Sequence, residues 1–244
     1  MVWIILIAPA VILILIGYWQ LVITEGVYLG PKVVTLLYDW TARRYDRIKD
    51  FNAAEEAYFL GRPLAMALGN YTRPRVLDVA TGTGRLPQTL LGQPTFDGQV
   101  FGLDLSASML RIAEQHLTLH TERAGLFVAP AARLPLADDQ FEAVTCLEAL
   151  EFFADGQVAL NEMVRVLRPG GWLLITNRVG WEARLMPGHT WSRAQLIEIL
   201  RGLPITDISV RPWQTYYDLV WARKRDVMRD ASYFPFTNYV VDSH

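Results

Sequence analysis

The residues best suited to chemistry fall between Asp78 and Asp104. Asp78 interrupts an apolar run, Arg75-Val76-Leu77-Asp78-Val79, whose β-branched and apolar character predicts a buried parallel strand. A carboxylate near the end of such a strand must find a partner. The turn after it, Ala80-Thr81-Gly82-Thr83-Gly84, lets a ligand approach the backbone, because glycine has no Cβ to block it. A helix starting there would offer unpaired N–H groups to the same ligand. Asp104 closes a second apolar run, Val100-Phe101-Gly102-Leu103, roughly 20 residues past the turn. A carboxylate in that place can accept hydrogen bonds from both ribose hydroxyls of a nucleoside; its other reading is a second cap for the helix that follows.

Two ligand classes suit such a turn. A dinucleotide fold needs G-x-G-x-x-G, with pyrophosphate on the helix N-terminus. Here Gly82 and Gly84 are followed by Pro87, so the third glycine is missing. Asp78 would also repel a pyrophosphate, whereas it suits an ammonium group. S-adenosylmethionine (SAM) has an amino-acid end and a sulfonium but no phosphate.

Asp78-Val79-Ala80-Thr81-Gly82-Thr83-Gly84 resembles motif I of the class I SAM-dependent methyltransferases, in a wording common among ubiquinone/menaquinone-type (type 11) methyltransferases. Two further segments agree with that family in order and spacing. Asp104-Leu105-Ser106-Ala107-Ser108-Met109 matches a D-x-S-x-x-M pattern, and Leu167-Arg168-Pro169-Gly170-Gly171-Trp172 matches the segment before strand five. The resemblance covers about Tyr38 to Ala222. It implies that Asp78 with Ala80, Thr81, Gly82, Thr83 and Gly84 holds the methionine end of SAM, and that Asp104 holds the ribose. Leu105 and Met109 would flank the adenine, with core packing nearly as good an account of Met109. Leu147 would sit in the loop after strand four, which flanks the transferred methyl group in this family. Pro130 stands where these families carry an adenine-binding Asp, so the expected adenine contacts fall to the backbone of Ala131 or Ala132.

Catalysis in this family rests mainly on holding nucleophile and methyl in near-attack geometry. Side chains that could add proton transfer are Glu148 and Glu151 after strand four, Tyr45, and His189 in the irregular stretch from Arg178 to Trp191. Each has a plainer reading. The two glutamates suit a helix start by their interaction with the dipole, and a lone loop histidine is commonly just exposed. Tyr38-Asp39-Trp40-Thr41-Ala42-Arg43-Arg44-Tyr45-Asp46 resembles a YD…A..YD stretch that lies over the SAM site in small-molecule methyltransferases. An amphipathic helix docking through Tyr and Trp on the domain or on a membrane explains the same residues.

The positioning elements follow from pattern. Pro31 to Gly69 is expected to be largely helical, with a hinge at Asn70 to Pro74. Further helices are expected over Ala107–His120, capped by Ser106, over Gln157–Arg168, ended by an αL cap at Gly170, and from Ser192 to Arg201. Strands are expected at Gly125–Ala129, Ala143–Cys146, Trp172–Ile175, Ile205–Val210 and Tyr216–Ala222, the last two joined through Pro212-Trp213. The resulting class is α/β: a Rossmann-like, doubly wound, mostly parallel seven-stranded sheet with an antiparallel C-terminal hairpin.

Residues 1–24 are expected to be a transmembrane anchor, 25–70 a helical linker or cap, 71–223 the methyltransferase domain and 224–244 a tail that is charged and then aromatic. From Val2 to Ile23 the chain is apolar and uncharged; 22 residues at 1.5 Å span ~33 Å against a hydrocarbon core of ~30 Å. No cationic n-region or A-x-A site suggests a cleaved signal peptide. Tyr18 and Trp19 suit the interface, and Lys32, Arg43, Arg44 and Arg47 follow it, placing the domain in the cytoplasm by the positive-inside rule. A net charge of −2 gives no electrostatic footprint for nucleic acid. The single cysteine, Cys146, excludes an internal disulfide and suits a reducing compartment, and no spacing of His and Cys suggests a metal.

The expectation is therefore a single-pass membrane protein that uses SAM to methylate a small hydrophobic acceptor, a quinone precursor or lipid-like molecule. The alternatives are a membrane-tethered SAM-binding module without catalysis and, disfavoured by Pro87, an NAD(P)-dependent oxidoreductase.

Overall fold

The sheet is built outward from the strand that carries Asp78. In β1 (Arg75–Val79) side chains alternate between faces, so Leu77 and Val79 enter one core while Val76 enters the other. The computed structural model describes residues 2–49 and 51–226, without side-chain placement for residues 2–8, 43, 44 and 46–49. The aromatic tail expected around Tyr233, Phe234, Phe236 and Tyr239 lies outside the described residues, as do the side chains of Arg43, Arg44 and Arg47.

Beside β1 run β2 (Gln99–Asp104), β3 (Ala124–Val128), β4 (Phe141–Cys146), β5 (Leu167–Arg178), β6 (Ile205–Trp213) and β7 (Tyr217–Lys224). Their order is β3-β2-β1-β4-β5-β7-β6, seven strands in one sheet. β1 to β5 are parallel, and β7 is antiparallel to both β5 and β6. This is the Rossmann-like mixed sheet expected from the pattern. Strand order reverses between β1 and β4, so a crevice opens at the carboxyl ends of these two strands.

One face of the sheet packs on α7 (Gly156–Val166) and α9 (Arg193–Arg201) through Leu160, Met163, Val164, Leu196 and Leu200. The other packs on α4 (Arg62–Leu68) and α5 (Arg85–Leu91) through Leu64, Leu68, Leu86 and Leu90. Ser192 caps α9 with a full capping box to Gln195, as its position in the sequence suggests.

Several boundaries differ from expectation. The helix after β2, α6 (Ala107–His116), stops short of His120, where a 3₁₀ turn takes over. Helix α7 ends at Val166 on an extended Leu167, so the Leu167–Gly171 segment belongs to β5 and Gly170, at φ 74°, is a bend in that strand rather than a helix cap. Pro212 and Trp213 lie inside β6, and the hairpin turns instead at Gln214, φ 58°. In the last two, sheet pairing overrides the local turn signal.

The expected membrane span is also corrected. Among the described residues no helix is long and apolar enough to cross a membrane. Helix α1 (Val2–Tyr18) has 17 residues, about 26 Å at 1.5 Å each. The last part of the apolar run, Trp19–Ile23, is a π-helical turn held to the domain by Trp19 Nε1 donating to the Leu185 carbonyl at 3.0 Å. Trp19 also stacks on Tyr28, whose hydroxyl donates to the Pro187 carbonyl at 2.8 Å.

Candidate cofactor and acceptor site

The crevice at the strand-order reversal has two connected lobes that share Tyr45, Ala80, Gly82, Leu147 and Glu148. The wider lobe holds about 750 Å³ of empty space, open solvent included, and the deeper one about 380 Å³. Helix α2 (Pro31–Lys49) roofs the wider lobe with Pro31, Val34, Thr35, Tyr38 and Tyr45.

The two glycines of the turn after β1 do different work. A Cβ on Gly82 would meet nothing within 4 Å, so it would project into the space a ligand needs. A Cβ on Gly84 would come within 3.0 Å of the Ala113 Cβ, so this glycine lets the turn pack against α6. Both have positive φ, 55° and 80°.

Asp104 fixes the turn from the neighbouring strand. Its Oδ2 accepts from Gly82 N–H at 2.9 Å and its Oδ1 from Ser106 N–H at 2.8 Å. Burial raises its carboxyl above the ordinary range, opposed by these backbone N–H groups. Each carboxylate oxygen can take a further donor, and Asp104 lines the wider lobe.

Asp78 faces the deeper lobe, yet its own oxygens are engaged. Oδ2 accepts from Thr81 Oγ1 at 2.7 Å and Oδ1 from Thr145 Oγ1 at 2.6 Å. Burial pushes its carboxyl up to about 6 against those hydroxyls. Asp78 thus ties the turn to β4, and its charge adds to the field of the lobe.

The deeper lobe is dominated by a buried ionic cluster. Arg85, first residue of α5, donates from Nε to Glu56 Oε2 and from Nη1 to Glu148 Oε1, both at 2.7 Å. Its guanidinium lies over the rings of Phe51 at 4.3 Å and Trp213 at 5.2 Å. Burial works against the Arg85 charge, but Glu148 and Glu56 outweigh it and raise its pKa. Gln214 Nε2 reaches the same Glu148 oxygen at 3.3 Å. Arg85 Nη2 is buried without a hydrogen-bond partner. Asp78, Glu56 and Glu148 surround a single guanidinium, so the lobe carries excess negative charge and one orphaned donor. A ligand with both an ammonium and a carboxylate meets both conditions, as the methionine end of SAM would.

Behind the wider lobe, Glu151 lies under the loop after β4. Its Oε1 accepts from the Tyr217 hydroxyl at 2.6 Å and lies 3.5 Å from Arg178 Nη1; its Oε2 is buried without a partner. Burial raises its carboxyl despite the Arg178 charge. Arg178 also pairs with Glu182. Tyr38, in the roof, donates to Glu25 Oε2 at 2.6 Å and packs edge-on against Phe152.

Most of the residues singled out from sequence meet here. Ala80, Gly82, Asp104, Leu105, Ala131, Leu147, Glu148 and Tyr45 line the wider lobe, and Asp78, Thr81 and Thr83 the deeper one. Gly84 supports the turn from behind. Met109 is buried and lines neither lobe, because α6 turns it inward. Ala132 points to solvent, and Ala129 takes its place on the wall. His189 stacks edge-on against Tyr28, away from both lobes. Sequence reasoning missed Arg85, Glu56, Phe51, Thr145 and Gln214. Arg85 alone carried a signal, a cation in the first turn of an otherwise uncharged helix. Asp39 proves to be a clamp: its Oδ1 accepts from Ser106 Oγ at 2.5 Å and from Ser108 N–H at 3.3 Å, fixing α2 to the start of α6.

Comparison with known proteins agrees with this geometry. Residues 77–175 match the family model described as a methyltransferase domain. A ubiquinone/menaquinone biosynthesis C-methyltransferase from Bordetella avium is 32% identical over 176 residues, covering 68% of this chain and 66% of the relative. For the counterpart from Geotalea daltonii the coverage is 41% and 44%, so the chain spans less than two thirds of the length of these curated relatives. Among solved structures, the [4+2]-cyclase SpnF superposes with a TM-score of 0.65 at 19% identity, covering 80% of this chain and 97% of that one. A SAM-dependent methyltransferase from Aquifex aeolicus gives 0.58 at 20%, covering 76% and 98%. These two likenesses speak for the fold.

Proposed function

We propose that the chain is a class I SAM-dependent methyltransferase, as the match of residues 77–175 to a methyltransferase domain and the 32% identity to the Bordetella avium relative support, and that it transfers a methyl group from SAM to a small hydrophobic acceptor, a quinone precursor or lipid-like molecule. The observation that carries the proposal is the two-lobed crevice, in which an ionic lobe meets a wide lobe walled by Pro31, Val34, Leu103, Leu105, Phe152 and Phe153. SAM supplies an electrophilic methyl on a sulfonium. The protein's part is to bind and orient. Gly82 leaves room, Asp104 accepts from the ribose, Leu105, Ala129 and Ala131 flank the base, and Arg85 with Asp78 and Glu148 suits the amino-acid end. Tyr38, Tyr45 and the roof helix exclude water, and the apolar wall favours a hydrophobic acceptor. The C-methyltransferase name of the Bordetella relative supports a quinone-like acceptor.

Membrane attachment is part of the proposal. Its support is α1, where Val11 to Ile16 are all apolar and 47–69% exposed, with Tyr18 exposed at the end. The test is calorimetric titration of the full chain with SAM, followed by transfer of labelled methyl into a membrane extract. Binding together with label in the lipid-soluble fraction is expected; label only in water-soluble acceptors sinks the hydrophobic acceptor.

A second reading, a tethered SAM-binding module without catalysis, is favoured by one observation: the carboxylates near the crevice are engaged, Glu148 by Arg85 and Glu151 by Tyr217. SAM binding with no transfer to any extract is its expected outcome.

A further inference from the structure

Helix α2 has two faces in different surroundings. Pro31, Val34, Tyr38 and Tyr45 fall on one side of it at 100° per residue, and line the crevice. On the opposite side Leu36 and Trp40, one turn apart, are 67% and 82% exposed. Leu29, just ahead of the helix, is exposed as well. Lys32 shares the outer face and is exposed, and Arg111 of α6 is exposed beside Trp40, with which it lines a shallow groove.

We propose that this outer face of α2 rests on an anionic phospholipid surface, with Leu36 and Trp40 at the boundary of headgroups and acyl chains and the cationic groups against lipid phosphates. The inference rests on the membrane attachment proposed above and adds which side of the domain meets the lipid. Charge and apolarity select this occupant together: the exposed Leu36 and Trp40 beside the exposed cations Lys32 and Arg111 suit an interface that is negative outside and apolar within. A protein partner would have to match both the cations and the all-round apolar surface of α1, whereas a bilayer matches both. The roof of the crevice then lies at the membrane, and an acceptor dissolved in lipid reaches the mouth at Pro31 and Thr35 from that surface.

The test uses the full chain carrying one solvatochromic probe at Leu36→Cys, with probes at Leu13→Cys on α1 and Leu119→Cys as references. Cys146 is fully buried and stays unlabelled; Leu119 is 90% exposed in the 3₁₀ turn after α6. On vesicles of phosphatidylcholine with phosphatidylglycerol, the probe at 36 shifts to the blue and loses most of its quenching by iodide, while that at 119 does not change. Omitting phosphatidylglycerol or raising salt reverses much of the shift at 36, since the cationic contribution is screened. A water-like probe at 36 beside a lipid-like probe at 13 overturns the inference and leaves the attachment standing. Water-like probes at both positions overturn both.

Discussion

The two lobes of the crevice are built on opposite plans. The wider lobe owes its polar chemistry to Gly82, Asp104 and Ser106, which lie within two successive strand ends and are joined by backbone N–H donors. The deeper lobe owes its chemistry to Glu56, Arg85, Glu148 and Gln214, drawn from four segments and joined by side chains alone. The first plan is cheap to specify, because strand register sets the distances. The second depends on packing, since every partner must be delivered by a different element.

That contrast can be broken at its most costly point. Arg85→Ala leaves Glu56 and Glu148 buried without their cation and is expected to destabilise the fold by about 3–5 kcal/mol, read from denaturant unfolding. A loss below about 1 kcal/mol would mean that water replaces the guanidinium, the behaviour of an exposed pair. Asp104→Ala removes a charged acceptor from the other lobe. At roughly 1.5–3 kcal/mol per charged hydrogen bond, SAM affinity falls about tenfold to more than a hundredfold in a calorimetric titration. Unchanged affinity would leave Asp104 only its hydrogen bonds to the Gly82 turn and to the start of α6.

The pH response sharpens the comparison. Asp78 has its folded pKa raised to about 6 from an ordinary 3.8. The folded state therefore binds more protons between these values, and this group's contribution to stability is full below about pH 4 and lost as pH rises through about 6. Asp78→Asn should remove that slope from unfolding measured at pH 4 to 7. SAM affinity should run the other way, weakening as pH falls below about 6, because a cationic ligand group prefers the carboxylate. The smallest effect is expected at the clamp. Asp39→Ala costs about 1 kcal/mol and shows as faster amide exchange in α2, with the sheet unaffected.

Much of the fold was legible because its signals are local. The apolar strands at Arg75–Val79 and Gln99–Asp104, the Ser192 capping box and the closing hairpin each follow from neighbours in sequence. Legibility failed where pairing across the sheet outweighs a turn signal, as at Pro169-Gly170-Gly171, which β5 absorbs, and at Pro212-Trp213, which β6 absorbs. It failed again at the apolar N-terminus. Composition alone reads residues 2–23 as one span, whereas Trp19 opens a π-helical segment and donates a hydrogen bond to Leu185, 166 positions away.

By itself, the sequence determined the strand–turn–helix at Arg75–Leu90, the acid at the end of β2 and the succession of strands and helices along the chain. These depend on hydrophobic period, on glycine's missing Cβ and on short-range register. Only the tertiary structure decided that Asp78 braces the turn through Thr81 and Thr145, that Arg85 joins Glu56 to Glu148, and that Met109 and His189 stand apart from the crevice. Such assignments depend on which side chains meet across elements distant in the chain. A one-dimensional pattern carries no information on these meetings until the packing of the elements is fixed.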